Sequence, residues 1–325
     1  MVTVRIILAG ELVLSVIVFE SLLPVVIVIA VGLFLRESKI VSKENWLGIE
    51  LLSYWLLFPM LVMVSLLKMD LGKISLGSIT KSYLLAVIVQ LLIIWLLRKP
   101  LRKFLGVNGR SFSSIFQTST RWNAFIALAI ANNFAGDQGL AIVALIMAVT
   151  IPVLNIVNIV VLTLCCSDTK PTIAAAVINT LKVPIIWGAL FGLLLNLAHV
   201  PIYEPLIVSF DIIGRAGLGI GLLTVGAGLH IKAMVRPRIT VLVGFTAKLF
   251  LFPLLVFISC MMFQVSGLAL QISILSASVA TAMNGYVLAR QMGGDADLYA
   301  TTASLQVVGS MFSIPIILWL ISGSV

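Results

Sequence analysis

Apolar runs long enough to cross a bilayer follow one another along most of this chain, separated by short polar links. A helical span needs about 20 mostly apolar residues. Runs of that kind fall near 17–35, 47–67, 79–97, 112–135, 138–164, 183–199, 205–229, 239–263, 267–292 and 298–322. The pattern predicts an all-α membrane protein of ten transmembrane helices. Residues 6–19 are also apolar, broken only by Gly10 and Glu11. They suit an extension of span 1, an interfacial segment or an extra span. They run straight into span 1, without the cleavage site that would mark a signal peptide.

The second half of the pattern repeats the first. Pro24, Gly32, Leu33 and Leu35 recur 160 positions later as Pro184, Gly192, Leu193 and Leu195. Glu50 is answered by Asp211, Asn123 by Asn284 and Phe125 by Tyr286, each 161 positions on. Thr150-Ile151-Pro152 returns as Ser313-Ile314-Pro315, 163 positions on. Five spans are an odd number, so two such units enter the bilayer from opposite sides. The expectation is two inverted five-helix repeats, 1–165 and 166–325. That architecture belongs mainly to secondary transporters, whose site lies at the midplane between repeats.

Composition agrees with a lipid-facing surface. Apolar residues make up 61% of 325 and charged residues only 10%, with a mean hydropathy of +1.20. So few charges would not cover a soluble protein of this size. The net charge of +9 would suit nucleic acid, but its positions argue for topology instead. Arg98, Lys99, Arg102, Lys103 and Arg110 fall between spans 3 and 4, and Arg36, Lys39 and Lys43 between spans 1 and 2. Lys232, Arg236 and Arg238 lie between spans 7 and 8, with Lys170 and Arg290 near the remaining links of that side. The other side has Arg5, Lys68, Lys73 and Lys81. The positive-inside bias places both termini outside. The expected setting is a plasma membrane, the inner one in a bacterium, with no nucleic-acid partner.

Cys165, Cys166 and Cys260 offer neither a disulfide framework nor metal-ligand spacing. His199 and His230 fall at opposite membrane edges, so no shared metal is expected. No cofactor is implied. Gly-x-x-x-x-Gly-Lys-Ser/Thr is absent, which argues against direct ATP drive, and no catalytic constellation shares one depth.

Polar side chains inside hydrocarbon need a reason. Span 4 carries Gln117-Thr118-Ser119-Thr120-Arg121-Trp122-Asn123 at about mid-depth, and span 9 carries Ser276, Ser278, Thr281 and Asn284-Gly285 at the equivalent place. Such residues weaken regular helix and satisfy freed backbone groups. Broken helices are tolerated there only against protein or a water-filled cavity. Two crossing breaks would aim half-helix N-termini at a common point, which suits an anion. The serines fit interhelical glue. Asn123 and Asn284, at matching places, fit a two-fold site, with Thr120 and Thr281 beside them. Arg121 is unmatched, since its repeat mate is Ala282. Its planar fork suits a carboxylate, either a substrate's or an acid's that locks one state. Tyr286 and Phe125 are candidate pocket walls. Asp211 and Arg215 stand four apart, where they can pair. Asp211, Glu50 and Lys248 are candidates for coupling, with Glu20 a weaker one. Lys248 reaches water only if span 8 is shifted. The glycines Gly214, Gly217, Gly219, Gly221, Gly226 and Gly228 give span 7 a surface for close packing, compatible also with a homodimer.

The run Asn284-Gly285-Tyr286-Val287-Leu288-Ala289-Arg290-Gln291-Met292-Gly293-Gly294-Asp295 resembles the ninth-helix signature of the auxin efflux carrier family. Arg121-Trp122-Asn123, then Ala127-Leu128-Ala129 and Gly136-Asp137-Gln138-Gly139-Leu140, is similar to the fourth-helix region of its bacterial members. The resemblance spans about residues 18–322. It implies a fold like that of sodium–proton antiporters and bile-acid symporters. Spans 1, 2, 6 and 7 would form a scaffold and spans 3–5 with 8–10 a moving domain, with crossovers in spans 4 and 9. It also implies transport of organic anions, carboxylates or auxin-like compounds, with Asn123 and Asn284 at the crossovers. Many members have proline at the crossovers. Here none occurs between Pro100 and Pro152 or between Pro253 and Pro315. The expected function is alternating-access transport of a small organic anion. A sodium- or proton-coupled symporter or antiporter of the same fold is the alternative.

Overall fold

The structure is a computed structural model that describes residues 2–70, 76–166, 173–234, 237–283 and 285–321. All regular structure among them is helical. In chain order the helices are α1 (Val2–Glu37), α2 (Lys43–Leu52), α3 (Phe58–Leu67), α4 (Leu76–Leu96), α5 (Arg98–Leu105), α6 (Gly109–Thr120), α7 (Ala124–Cys166) and α8 (Ile173–Leu181). They continue as α9 (Pro184–Leu197), α10 (Glu204–Ala227), α11 (Ile231–Met234), α12 (Ile239–Thr246), α13 (Phe252–Met262), α14 (Gly267–Ser278), α15 (Gly285–Gln291) and α16 (Ala296–Ile321).

Among the described residues seven helical stretches are long and apolar enough to cross a membrane, where the sequence pattern suggested ten. The fourth and fifth expected spans fall in one apolar stretch, Gly109–Cys166, inside which two helices meet at a kink at Ala135-Gly136, and the sixth and ninth hold the shorter apolar helices Pro184–Leu197 and Gly267–Ser278. Residues 6–19 continue span 1 as one 36-residue helix, about 54 Å long at 1.5 Å per residue. That exceeds a hydrocarbon core of about 30 Å.

Proline shapes two of the spans. A π turn, Ser53–Leu57, joins α2 to α3, and another, Ala247–Leu251, joins α12 to α13. Each is followed directly by Phe-Pro, Phe58-Pro59 and Phe252-Pro253. Proline has no N–H to return to the carbonyl four residues back. The turn widens, and the Phe N–H bonds five residues back, to Ser53 O and Ala247 O. Within α7 the helix bends at Ala135 (φ −143°) and Gly136 (φ 56°, ψ −140°), a left-handed position that glycine occupies without a Cβ penalty.

The closest packing joins α1 to α10 and α3 to α9. The two pairs use matched contacts, 160 positions apart. A Cβ on Gly32 would collide with the Leu223 carbonyl, and one on Gly192 with the Met63 carbonyl. Arg36 Nη1 donates to Leu229 O at 2.6 Å, while Asn196 Nδ2 donates to Met69 O at 2.8 Å. Each caps carbonyls left free at the end of the opposite helix. The glycines of α10 serve the same close approach: Gly214 lies on the Leu61 backbone and Gly226 on the Ile29 carbonyl.

Most of the basic links gather on one face. Asp295 accepts from Ser111 Oγ at 2.9 Å, its N–H reaches Arg110 O, and Arg238 Nη1 lies 3.9 Å from its carboxylate. Gly109 lies against Cys165 O. Lys73, Lys170 and Arg236 lie outside the described residues.

Candidate functional site

Both polar mid-span runs coincide with breaks. Span 4 is interrupted at 121–123, between α6 and α7, and span 9 from Val279 on, between α14 and α15. No proline is needed. Thr118, Ser119 and Thr120 each turn a hydroxyl back onto a carbonyl of the preceding turn, at 2.7 to 2.9 Å. Such back-bonding competes with the helical ladder. The next residue leaves the helix in extended conformation, Arg121 at ψ 161° and Val279 at ψ 157° in the second break.

A helix end inside hydrocarbon leaves carbonyls without donors. Here side chains supply them. Gln306 Nε2 donates to Thr118 O at 2.9 Å and Gln90 Nε2 to Ser119 O at 3.2 Å. Trp122 Nε1 donates to Ser276 O at 2.5 Å, so the first break caps the half-helix of the second. Gln306 and Gln90 also donate to Gly244 O and Ala247 O, each at 2.9 Å. The two glutamines thereby tie α6 to the π-turn region of span 8. A lone amide in an apolar span is the signal by which the sequence marked them, and the sequence reading passed them over.

The breaks touch. The Asn123 N–H donates to Ala280 O at 3.0 Å. Asn123 Oδ1 accepts from the N–H groups of Phe125 (3.1 Å) and Ile126 (3.2 Å), the geometry of an N-cap on α7. Its Nδ2 lies 3.5 Å from Thr281 O, the long limit of a hydrogen bond. Asn284 lies outside the described residues. The repeat changes register here. α6 and α14 begin 158 positions apart, whereas α7 and α15 begin 161 apart, so the second interval is longer by three positions. Counted from the first half-helix, the mate of Asn123 is Thr281; counted from the second, it is Asn284.

Span 10 holds the second break. The Thr281 N–H donates to Gln306 Oε1 at 2.9 Å, and the Tyr299 hydroxyl donates to Ala282 O at 2.5 Å. Thr281 Oγ1 stands 3.3 Å from the same hydroxyl. Thr120 is turned to α7, where its Oγ1 meets Asn158 Oδ1 at 3.2 Å. Phe125 stacks on Phe58 with centroids 4.1 Å apart, and Tyr286 lies 5.7 Å from His230.

Arg121 is the charge at this crossing. Among the described residues no carboxylate lies within ion-pair distance of it, and its Nε is buried without a hydrogen-bond partner. Its electrostatic neighbours are the phenols of Tyr299 and Tyr54. A guanidinium so placed can accept a carboxylate on its fork. Residues 168–318 match the family model described as a membrane transport protein. The match lies in the second half of the chain, and the family is that of the auxin efflux carriers. It is a multi-pass integral membrane protein and a transporter. No curated protein matches it.

Among the described residues no hydrogen bond or ion pair joins the coupling candidates Asp211, Glu50 and Lys248 to one another. Asp211 pairs with Arg215 Nε at 3.0 Å and with Lys68 Nζ at 3.4 Å. Arg215 Nη2 reaches Asp137 at 2.6 Å. Glu50 is half-buried on α2, one turn from Tyr54, with no hydrogen bond or ion pair among the described residues. Lys248 does not reach water. It is fully buried in the second π turn, its Nζ without a hydrogen-bond partner and 4.4 Å from the Phe252 ring centroid.

Proposed function

We infer that the protein is a secondary carrier for a small organic anion, working by alternating access. The observation that carries this reading is Arg121, an intramembrane guanidinium at the contact of two broken helices, with no carboxylate within ion-pair distance among the described residues. An intramembrane charge is costly unless it serves a path or a site, and a carboxylate supplies the partner it lacks. Asn123 positions the start of α7, and its Nδ2 is the remaining donor beside the guanidinium's break. Asn284 is assigned to the same site by its place in the repeat.

The reading takes the layout to be ten spans in two inverted five-helix repeats. Spans 4 and 9 cross as α6/α7 and α14/α15. The matched contacts of α1 with α10 and α3 with α9, 160 positions apart, support that layout. The paired helices α1, α3, α9 and α10 form the scaffold, against which the broken helices move. Both termini lie outside, on the face opposite the basic links. A sodium-coupled version would need oxygen ligands with negative charge at the crossing, and the described residues there bring none.

The test is charge movement and labelled uptake in proteoliposomes holding purified protein, challenged in turn with mono- and dicarboxylates, auxin-like aromatics and sodium, at two pH values. Carboxylate transport is the expected result. A response to sodium alone moves the assignment to the ion-coupled alternative.

A further inference from the structure

A second feature lies between the two groups of helices, away from the break. A cavity of about 440 Å³ opens between the ends of α3 and α10 on one side and α7 with the link into α14 on the other. Lys68, Asp211 and Arg215 line one wall, and Asp137, Gln264 and Ser266 the other. It lies on the face away from the gathered basic links. An ion pair crosses it, Arg215 Nη2 to Asp137 Oδ1 at 2.6 Å.

Five charged side chains line the cavity, Lys68, Asp70, Asp137, Asp211 and Arg215, and the last three are held unequally. Asp211 is 21% exposed and gripped by two cations, Arg215 at 3.0 Å and Lys68 at 3.4 Å. Asp137 is 65% exposed and pairs with Arg215. It directly follows the non-helical Ala135-Gly136 bend. The Arg215 fork thus spends one edge on a fixed acid and the other on a replaceable one. Six residues along α10, a Cβ on Gly221 would touch Phe125, the second residue of α7. At 1.5 Å per residue that places the level of the break about 9 Å from Arg215 along the helix axis.

Taking the organic-anion reading as its premise, we propose that this cavity is a first binding station for the transported carboxylate, which replaces Asp137 on Arg215. The exchange is chemically even, one carboxylate for another on the same guanidinium. Its consequence is mechanical, because it removes the ion pair that joins α10 to α7. A ligand without a carboxylate cannot make the exchange.

The test uses full-length protein carrying Arg121→Ala, so that binding at the crossing is removed. Acetate, malonate and indole-3-acetate serve as probes, read by saturation-transfer NMR. Adding Asp137→Asn removes the competitor, and carboxylate affinity should rise about fivefold, the scale of an exposed ion pair. Asp137→Ser should repeat that gain, and a further Arg215→Gln should abolish it. Affinity unchanged by both Asp137 variants overturns the proposal, as does a gain that survives Arg215→Gln. Neither outcome touches the assignment of the crossing, which rests on Arg121 in an otherwise unaltered chain.

Discussion

The paired helices and the broken ones treat the internal repeat in opposite ways. Where α1 meets α10 and α3 meets α9, the repeat holds residue by residue. Gly32 on Leu223 is matched by Gly192 on Met63, and Arg36 on Leu229 by Asn196 on Met69. At the breaks the repeat loses its register. The first is short, carries Arg121 and is capped by its own Asn123. The second is three positions longer and is held from outside by Gln306 and Tyr299. Packing needs only shape, so a duplicated surface stays duplicated. A site that binds one small ligand needs its charge once.

Four experiments sharpen or break that contrast. The largest effect belongs to the unmatched charge. Arg121→Ala should lower uptake about 100-fold, the loss of a charged, desolvated hydrogen-bonded pair, while the protein stays folded in detergent. Adding Ala282→Arg should not restore uptake, and restoration would mean that the two breaks are interchangeable. Next, Gln306→Leu leaves the Thr281 N–H and the Thr118 and Gly244 carbonyls without their partner. It should cost about 3 kcal/mol of stability, and Gln90→Leu, with two bonds, less. Equal losses would show that span 10 does not hold the second break. On the symmetric side, Gly32→Ala and Gly192→Ala should each cost about 2 kcal/mol from backbone overlap. The two losses should agree closely. The smallest change is Asn123→Ala, which removes an N-cap for about 1 kcal/mol. Asn123→Ser keeps a capping oxygen and should recover stability, so any transport defect that persists belongs to the lost Nδ2.

Much of this was legible in the chain. Pro24, Gly32, Pro184 and Gly192 announced the repeat, because close helix approach requires small residues at fixed places. The polar runs before Asn123 and Asn284 announced the breaks even without proline, since Thr118, Ser119 and Thr120 had hydroxyls to offer the backbone. Hydropathy separates 112–135 from 138–164, and the non-helical Ala135-Gly136 kink falls between the two runs, so that each holds its own helix within the stretch Gly109–Cys166. The register change was hidden, because alignment by residue identity fixes on Asn123 and Asn284 and ignores where each half-helix ends. Long-range partners were beyond reach. Nothing in the sequence placed Tyr299 on Ala282, Arg215 on Asp137 or the Lys248 ammonium over the ring of Phe252.

The account rests most heavily on Arg121 as the anion's partner, and ligand-dependent stabilisation tests this directly. Anything that binds the folded state raises its melting temperature. The purified wild-type protein should melt higher as a transported carboxylate is added. Arg121→Ala should melt at a temperature that the same carboxylate shifts little. Equal stabilisation of the two proteins would contradict the account and move the anion away from the broken helices.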